Sequence, residues 1–234
     1  MAKRAIDIAL GAVLAVIATP LILLSALVTM IALRTTSPFF LHKRIGFEGE
    51  EISFPKLRTL PRSTPEYALK RDMTFDHVPF VMRFIRKMHI DELLQLFLVP
   101  VGKISLIGPR PKMPDDVEPV EANYGSTRVT VPQGCTGLWQ ISVDTKDMPD
   151  AHPEYDFFYV AHRSLRLDLW ILWRTFAHGA HLRPAITLED VPHWACAHAS
   201  AETCRAAARG AVVDLRPAIV DLTHPVPSLQ SARA

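Results

Sequence analysis

Between Arg86 and Arg110 the chain carries side chains suited to chemistry on phosphates: Arg86, Lys87, the adjacent acids Asp91 and Glu92, and Arg110. Neighbouring side chains on a helix diverge by about 100°, so Asp91 and Glu92 are not expected to face one partner squarely. A division of labour follows, in which one carboxylate attacks or binds a metal while its neighbour orients a group or manages a proton. The arginines can supply two-point contacts to phosphate oxygens. The same residues also read as an ordinary helix start, where acids suit the dipole, beside a solvated basic face. On the bare residues both readings stand.

The elements that must position these groups follow from periodicity. From Phe80 to Val99 the apolar residues Phe80, Val81, Phe84, Ile85, Met88, Leu93, Leu96 and Phe97 recur at spacings of mainly three and four, and Pro100 closes the run, which predicts a helix. Residues 39–60 mix aromatic and β-branched residues with Gly46 and Gly49, predicting a hairpin or strand pair. Residues 61–79 are polar and proline-punctuated, hence a loop. Residues 106–114 form a rigid proline-rich loop, and 131–143 hold a glycine-rich turn. A helix returns over 154–178 with an aromatic-rich surface suited to core or membrane contact. The remainder, 185–234, is Ala-rich and then proline-rich, and reads as an appendage with at most one helix.

Ahead of all this, Ile8 to Leu33 runs for 26 residues without a charge. A straight helix of that length measures roughly 39 Å, more than the roughly 30 Å hydrocarbon core. The apolar stretch is longer than that of a signal peptide and lacks an A-x-A-like cleavage site, so a retained membrane segment is expected. Pro20, after Thr19, removes a backbone hydrogen bond within the run, so a bend is expected there. Lys3 and Arg4 precede the run, and Arg34, Lys43 and Arg44 follow it. The positive-inside rule therefore places both flanks in the cytoplasm, which a re-entrant helix-break-helix satisfies and a straight span does not. The alternative is a single span with a tolerated proline.

The 234 residues suffice for one domain and an appendage, with 49% hydrophobic and 21% charged residues, so collagen, wholesale disorder and a polytopic bundle are excluded. A net charge of +2 argues against a nucleic-acid partner. The positive excess lies in the middle, where residues 34–112 hold 14 Lys/Arg against 8 Asp/Glu. Three cysteines at no framework spacing fit a reducing compartment. Cys196, His198 and Cys204, with His193 nearby, match no common zinc spacing. The expected organisation is a membrane helix over 1–36, a cytosolic catalytic domain over 37–184 and the appendage over 185–234. The fold class is α+β and α-dominated.

A series of motifs in fixed order carries a resemblance: Lys3-Arg4-x-x-Asp7, the apolar run with Thr19-Pro20, Lys43-Arg44-Ile45-Gly46, Lys56-Leu57-Arg58-Thr59, Arg86-Lys87-x-x-Ile90-Asp91-Glu92-Leu93-x-Gln95-Leu96 and Ser105-Leu106-Ile107-Gly108-Pro109-Arg110-Pro111. Thr136-Gly137-Leu138-Trp139-Gln140, Asp156, Tyr159, Ser164-Leu165 and Asp168-Leu169 extend it. Over about residues 3–180 the chain resembles the bacterial sugar transferases, the monotopic polyprenol-phosphate phosphoglycosyl transferases that initiate capsule, exopolysaccharide and glycoprotein glycan assembly. The resemblance implies a re-entrant membrane helix broken at Thr19-Pro20 and a ping-pong reaction at the inner membrane. In it Asp91 of the Asp91–Glu92 dyad attacks the β-phosphate of a nucleoside diphosphate sugar, and the phosphosugar then passes to undecaprenyl phosphate. It further implies Mg²⁺ assistance with Asp91 as a metal ligand, and substrate or phosphate contacts from Arg86, Arg110, Lys56, Arg58 and Gln140. The implied partners are the donor sugar nucleotide, undecaprenyl phosphate and membrane lipids. A homo-oligomer or other glycan-assembly enzymes are further partners left open.

The chain departs from the family pattern at several points. His89 stands where a Ser usually caps the dyad helix, so its start is capped differently or less well. Leu98 replaces the usual Asn, Lys103 replaces an acid, Asp76-His77-Val78-Pro79 shortens one motif, and Pro132-Gln133-Gly134-Cys135-Thr136-Gly137 carries an extra residue. These changes leave the dyad intact and bear on sugar specificity. They also support an alternative reading, a catalytically weakened relative acting as a membrane-bound assembly partner.

Overall fold

The computed structural model describes residues 2–61, 78–113, 127–146 and 152–197. The expected loop residues 62–77, Pro114, and His198 and Cys204 of the appendage lie outside them. The protein mixes helix and sheet and is helix-dominated. It divides into two compact units, Met1–Arg44 with Glu51–Ile104, and Ile45–Glu50 with Ser105–Ala234.

The first unit opens with α1, Ala2–Ala32, a single helix with Pro20 inside it. Where the sequence predicts a break, the helix continues, and the Thr19 hydroxyl donates to the Ala15 carbonyl at 2.8 Å. Its buried positions are Asp7, Gly11, Ala15, Ile22, Ser25, Ala26 and Thr29, spaced to lie on one face. That face is small or polar with the exception of Ile22. The large aliphatics point outward instead: Val16 is 72% exposed, Ile17 68% and Ile31 70%. An inward-polar, outward-aliphatic helix is the inverse of a soluble amphipathic helix and suits lipid, where small residues let elements approach closely. This is the one helix among the described residues long and apolar enough to cross a membrane.

Strands β1, Phe39–Ile45, and β2, Glu51–Leu57, pair as the sequence predicts. A connection this short permits only an antiparallel hairpin. Helix α2, Phe80–Lys87, buries Met82 and Ile85, while Phe80 and Phe84 face outward. Ala26, Leu57, Val78, Met82 and Ile85 form the core, with Ile90 and Leu94 packed against it.

The single helix predicted over 80–99 is two elements. His89 takes a left-handed backbone, φ 54° and ψ 22°, and beyond it Ile90–Leu98 winds as a 3₁₀ segment. Histidine tolerates this conformation better than most side chains, and one such residue interrupts the α ladder. No side chain caps the segment at His89, as its replacement of a capping Ser foretells.

In the second unit β3, Ser105–Ile107, pairs in parallel with β4, Gly134–Thr136, in the register Ser105↔Gly134 and Ile107↔Thr136. The chains approach so closely that a Cβ on Gly134 would lie 2.1 Å from the Gly108 nitrogen, and one on Gly137 2.4 Å from the Gly108 oxygen. Only glycine fits there. The helix predicted over 154–178 is also two, α3 Glu154–His162 and α4 Leu165–Gly179. Ser164 between them is extended, and its hydroxyl caps α4 by accepting from the Leu167 amide at 3.0 Å. The Tyr159 hydroxyl donates toward Asp168 Oδ1 (2.8 Å) and the Ile107 carbonyl (3.1 Å), tying both helices to β3. Leu169, Trp173 and Phe176 leave one side of α4 exposed and apolar.

Candidate active site

The Asp91–Glu92 pair occupies the first turn of the 3₁₀ segment, which packs on β2 and α1. Asp91 is 4% exposed. Lys56, in β2, reaches both acids: its Nζ lies 2.9 Å from Glu92 Oε1 and 3.4 Å from Asp91 Oδ2. The expectation that the two would not share a partner is therefore corrected. They do diverge by about 120° in a 3₁₀ turn, but a long ammonium arriving from another element can stand between them with three donors to offer.

The electrostatics follow from burial. Burial pushes the Asp91 carboxyl above the ordinary carboxylate range and the charge on Glu92 adds to that, while Lys56 and Arg86 oppose it. Arg86, in the last turn of α2, donates to the Thr59 hydroxyl at 3.3 Å. Lys56, Arg86, Asp91 and Glu92 are thus brought together. Arg58 instead donates to the Ser37 carbonyl (3.3 Å) and stacks over Phe40 (5.4 Å).

In the second unit Arg110 lies over the Trp139 ring at 5.9 Å, and its carbonyl accepts from Arg128. Arg128 is nearly inaccessible and pairs with Asp156 at 2.9 Å. Gln140 follows Trp139, its Oε1 closing the space a side chain at Gly137 would need. Trp139 Nε1 and Gln140 Nε2 are buried donors with no hydrogen-bond partner among the described residues, an arrangement that acceptor groups of a ligand would relieve.

Sequence reasoning missed His42. It sits on β1 with 9% exposure, and its Nδ1 accepts from Arg44 Nη2 at 3.1 Å. Burial, with help from Arg44 and Lys56, lowers its pKa from 6.5 to about 4 against the opposing pull of Glu92, so the ring is neutral beside the dyad's charges. A polar residue at an inward strand position was the available signal. Arg128 was likewise found only by folding, whereas Asp156, its partner, already stood among the motif residues.

For a divalent cation the donor set is two adjacent carboxylates. No group of three or more His, Cys, Asp or Glu able to hold a metal occurs among the described residues. That excludes an all-protein cage among those residues but fits Mg²⁺, which binds through one or two carboxylates and completes its shell with water and substrate phosphates. The Cys196 thiol donates to the Pro192 carbonyl at 3.9 Å.

Comparison with known proteins gives a match of residues 1–181 to the bacterial sugar transferase family model. The chain is 31% identical over 194 residues to the exopolysaccharide production protein ExoY of Rhizobium meliloti, covering 75% of this chain and 84% of that protein. It is 32% identical to the undecaprenyl-phosphate galactose phosphotransferase of Salmonella typhimurium, over 74% of this chain and 39% of that protein. It is 30% identical to the UDP-glucose:undecaprenyl-phosphate glucose-1-phosphate transferase of Klebsiella pneumoniae, over 76% of this chain and 40% of that one. The chain spans about two fifths of the length of these last two relatives.

Proposed function

The chain belongs to the bacterial sugar transferase family, and from that premise we propose that it transfers a sugar 1-phosphate from a nucleoside diphosphate sugar, a UDP-sugar, to undecaprenyl phosphate at the cytoplasmic face of the inner membrane. The observation that carries this reading is the pairing of one ammonium, Lys56 Nζ, with two adjacent buried carboxylates. A carboxylate that attacks a phosphoanhydride must be desolvated enough to be reactive and yet remain ionised. Burial supplies the first condition, and Lys56 with Arg86 opposes its protonating effect.

In the first step an Asp91 oxygen bonds to the β-phosphorus of the donor. The bond from that phosphorus to the bridging oxygen breaks, and the nucleoside monophosphate leaves with that oxygen. In the second, a phosphate oxygen of undecaprenyl phosphate attacks the same phosphorus and the Asp91 carboxylate departs, which restores the protein. Glu92 serves the acceptor or the metal. When bound, Mg²⁺ would be held by the Asp91 carboxylate and would supply charge neutralisation on the transferred group. Lys56 and Arg86 hold charge beside the reacting carboxylate, and in the second unit Arg110 and Gln140 are donor-binding residues by their chemistry.

The membrane helix is proposed to be re-entrant. Supporting this, α1 touches its own unit at both ends: Arg4 bonds to the carbonyls of Val99 and Pro100, while Ala26 and Thr29 pack with Leu57 and Met82. A straight span would carry one end to the far side of a core roughly 30 Å thick. Single cysteines at positions 2 and 48 should label from the same side, and labelling from opposite sides would overturn this topology.

The catalytic proposal is tested by nucleoside monophosphate release from UDP-glucose, UDP-galactose and UDP-N-acetylgalactosamine with Mg²⁺ and undecaprenyl phosphate. Release from at least one is expected. Silence from all three would favour the assembly-partner reading.

A further inference from the structure

The segment that carries the dyad is unusual in its own right. Runs of 3₁₀ helix beyond three or four residues are uncommon because their hydrogen bonds are poorly aligned, yet Ile90–Leu98 continues for nine. Its start has no side-chain cap, and Pro100 at its end offers no amide proton to a carbonyl. Something outside the segment must hold it.

That support comes from the first three turns of α1. Arg4 donates from Nη1 to the Val99 carbonyl at 2.8 Å and from Nη2 to the Pro100 carbonyl at 3.0 Å. The planar guanidinium thereby ties together two carbonyls at the segment's C-terminal end, that of Val99, which also accepts from the Gly102 amide at 3.1 Å, and that of Pro100, where the helix dipole also favours a cation. Gly102, at φ +88°, leaves room for it: a Cβ there would lie 3.1 Å from Arg4 Nη2. Two turns along α1, Gly11 receives Val99, which is fully buried, and a Cβ on Gly11 would lie 2.7 Å from Val99 Cγ1. The guanidinium fixes the end of the segment along its axis, and the glycine notch fixes its distance from α1.

We propose that Arg4 is a positioning residue for the reaction: through Val99 and Pro100, and with the Gly11 notch, it holds the 3₁₀ segment so that Asp91 and Glu92 stay in register with Lys56. The membrane helix is then a part of the catalytic apparatus as well as an anchor. The inference rests on the dyad's proposed role. Lysine at position 4 keeps the topogenic charge but cannot bridge two carbonyls in one plane.

The test uses the full chain in phosphatidylethanolamine/phosphatidylglycerol nanodiscs, comparing the unmodified protein with Arg4→Lys, Gly11→Ala and the double variant Gly11→Ala/Val99→Ala. Amide exchange over residues 90–101 should quicken about tenfold in Arg4→Lys and in Gly11→Ala, the scale of losing one charge-assisted hydrogen bond. In the half-reaction with the three UDP-sugars, kcat should fall about as much while KM moves less than twofold. Removing the Val99 methyls should return exchange and kcat in the double variant toward the unmodified values, a rescue that a charge acting only on topology would not give. Unchanged exchange over 90–101 in Arg4→Lys, or no rescue in the double variant, would overturn the proposal. If the unmodified protein releases no nucleotide from any donor, the catalytic reading fails, while the exchange data still decide whether Arg4 clamps the segment.

Discussion

Lys56 and Glu92 form an ion pair of 2.9 Å between β2 and the 3₁₀ segment, and the same ammonium is within 3.4 Å of Asp91. This joins the strand that follows the hairpin turn to the proposed reactive centre. Two adjacent acids in one buried turn would repel each other and protonate; the strand's lysine makes them tenable as charges.

Replacing Lys56 should therefore act on pH dependence as well as on rate. Lys56 lowers the Asp91 pKa that burial raises. In Lys56→Gln that pKa rises further, and because attack requires the carboxylate, the acid limb of kcat/KM should move to higher pH. Lys56→Arg should shift it less. Removing one partner of a buried pair should also cost about 3 kcal/mol of stability, readable by thermal unfolding. An acid limb unmoved in Lys56→Gln would detach Lys56 from the reacting carboxylate.

His42 gives a second pH signature. Its pKa falls from 6.5 when exposed to about 4 in the fold, so between these values the unfolded chain binds a proton that the folded chain does not. Stability is thus lost as pH falls from 6.5 towards 4 and is fully present above 6.5. In His42→Gln, which cannot titrate, the fall in Tm across that window should shrink. An equal fall in both proteins would show that other groups govern acid unfolding.

Much of this arrangement was legible in the sequence. The apolar run, the hairpin over 39–60 and the dyad beside Arg86 all follow from local pattern. What escaped depended on single backbone angles or on distant pairing. The apolar spacing runs straight through His89, and nothing in it reveals the left-handed turn that converts a helix into two elements. Ser164 hides in the same way within a longer apolar run. The meeting of Lys56 with both acids joins residues far apart in the chain, and helical geometry alone argued against it. Arg128 is a polar residue whose burial no local window foretells, and His42 shows itself only through the alternation of its strand.

The β3–β4 pair offers a test of close backbone packing. Gly134→Ala would place a methyl group 2.1 Å from the Gly108 nitrogen, where backbone rather than a flexible side chain must move. The parallel ladder should open, and stability should fall by about 3 kcal/mol or more. Gly49→Ala is the control, because a Cβ there meets nothing within 4 Å, although its φ of +82° adds a smaller backbone strain. Equal Tm losses for the two would show that steric closeness at β3–β4 is not what demands glycine.

The two carboxylates should fail differently. If Asp91 is the nucleophile, Asp91→Asn keeps the shape and some of the hydrogen bonding but cannot form the phosphosugar adduct, so nucleotide release should vanish even without a lipid acceptor. If Glu92 serves the acceptor or the metal, as proposed, Glu92→Gln should lose less in that half-reaction and more once undecaprenyl phosphate is supplied. The geometry motivates the split. Asp91 is the more deeply buried of the two and is the one whose carboxyl burial raises, whereas Glu92 makes the shorter contact to Lys56. Side chains one residue apart cannot share one line of attack on a single phosphorus, whichever cation lies between them. Both variants leave Lys56 with one charged partner, so a difference between them cannot be assigned to the loss of the ion pair alone. The measurement is a half-reaction with UDP-sugar, Mg²⁺ and no polyprenol phosphate, followed by intact-protein mass and peptide mapping. An adduct that persists in Asp91→Asn, or that maps to Glu92 in the unmodified protein, would reverse the assignment.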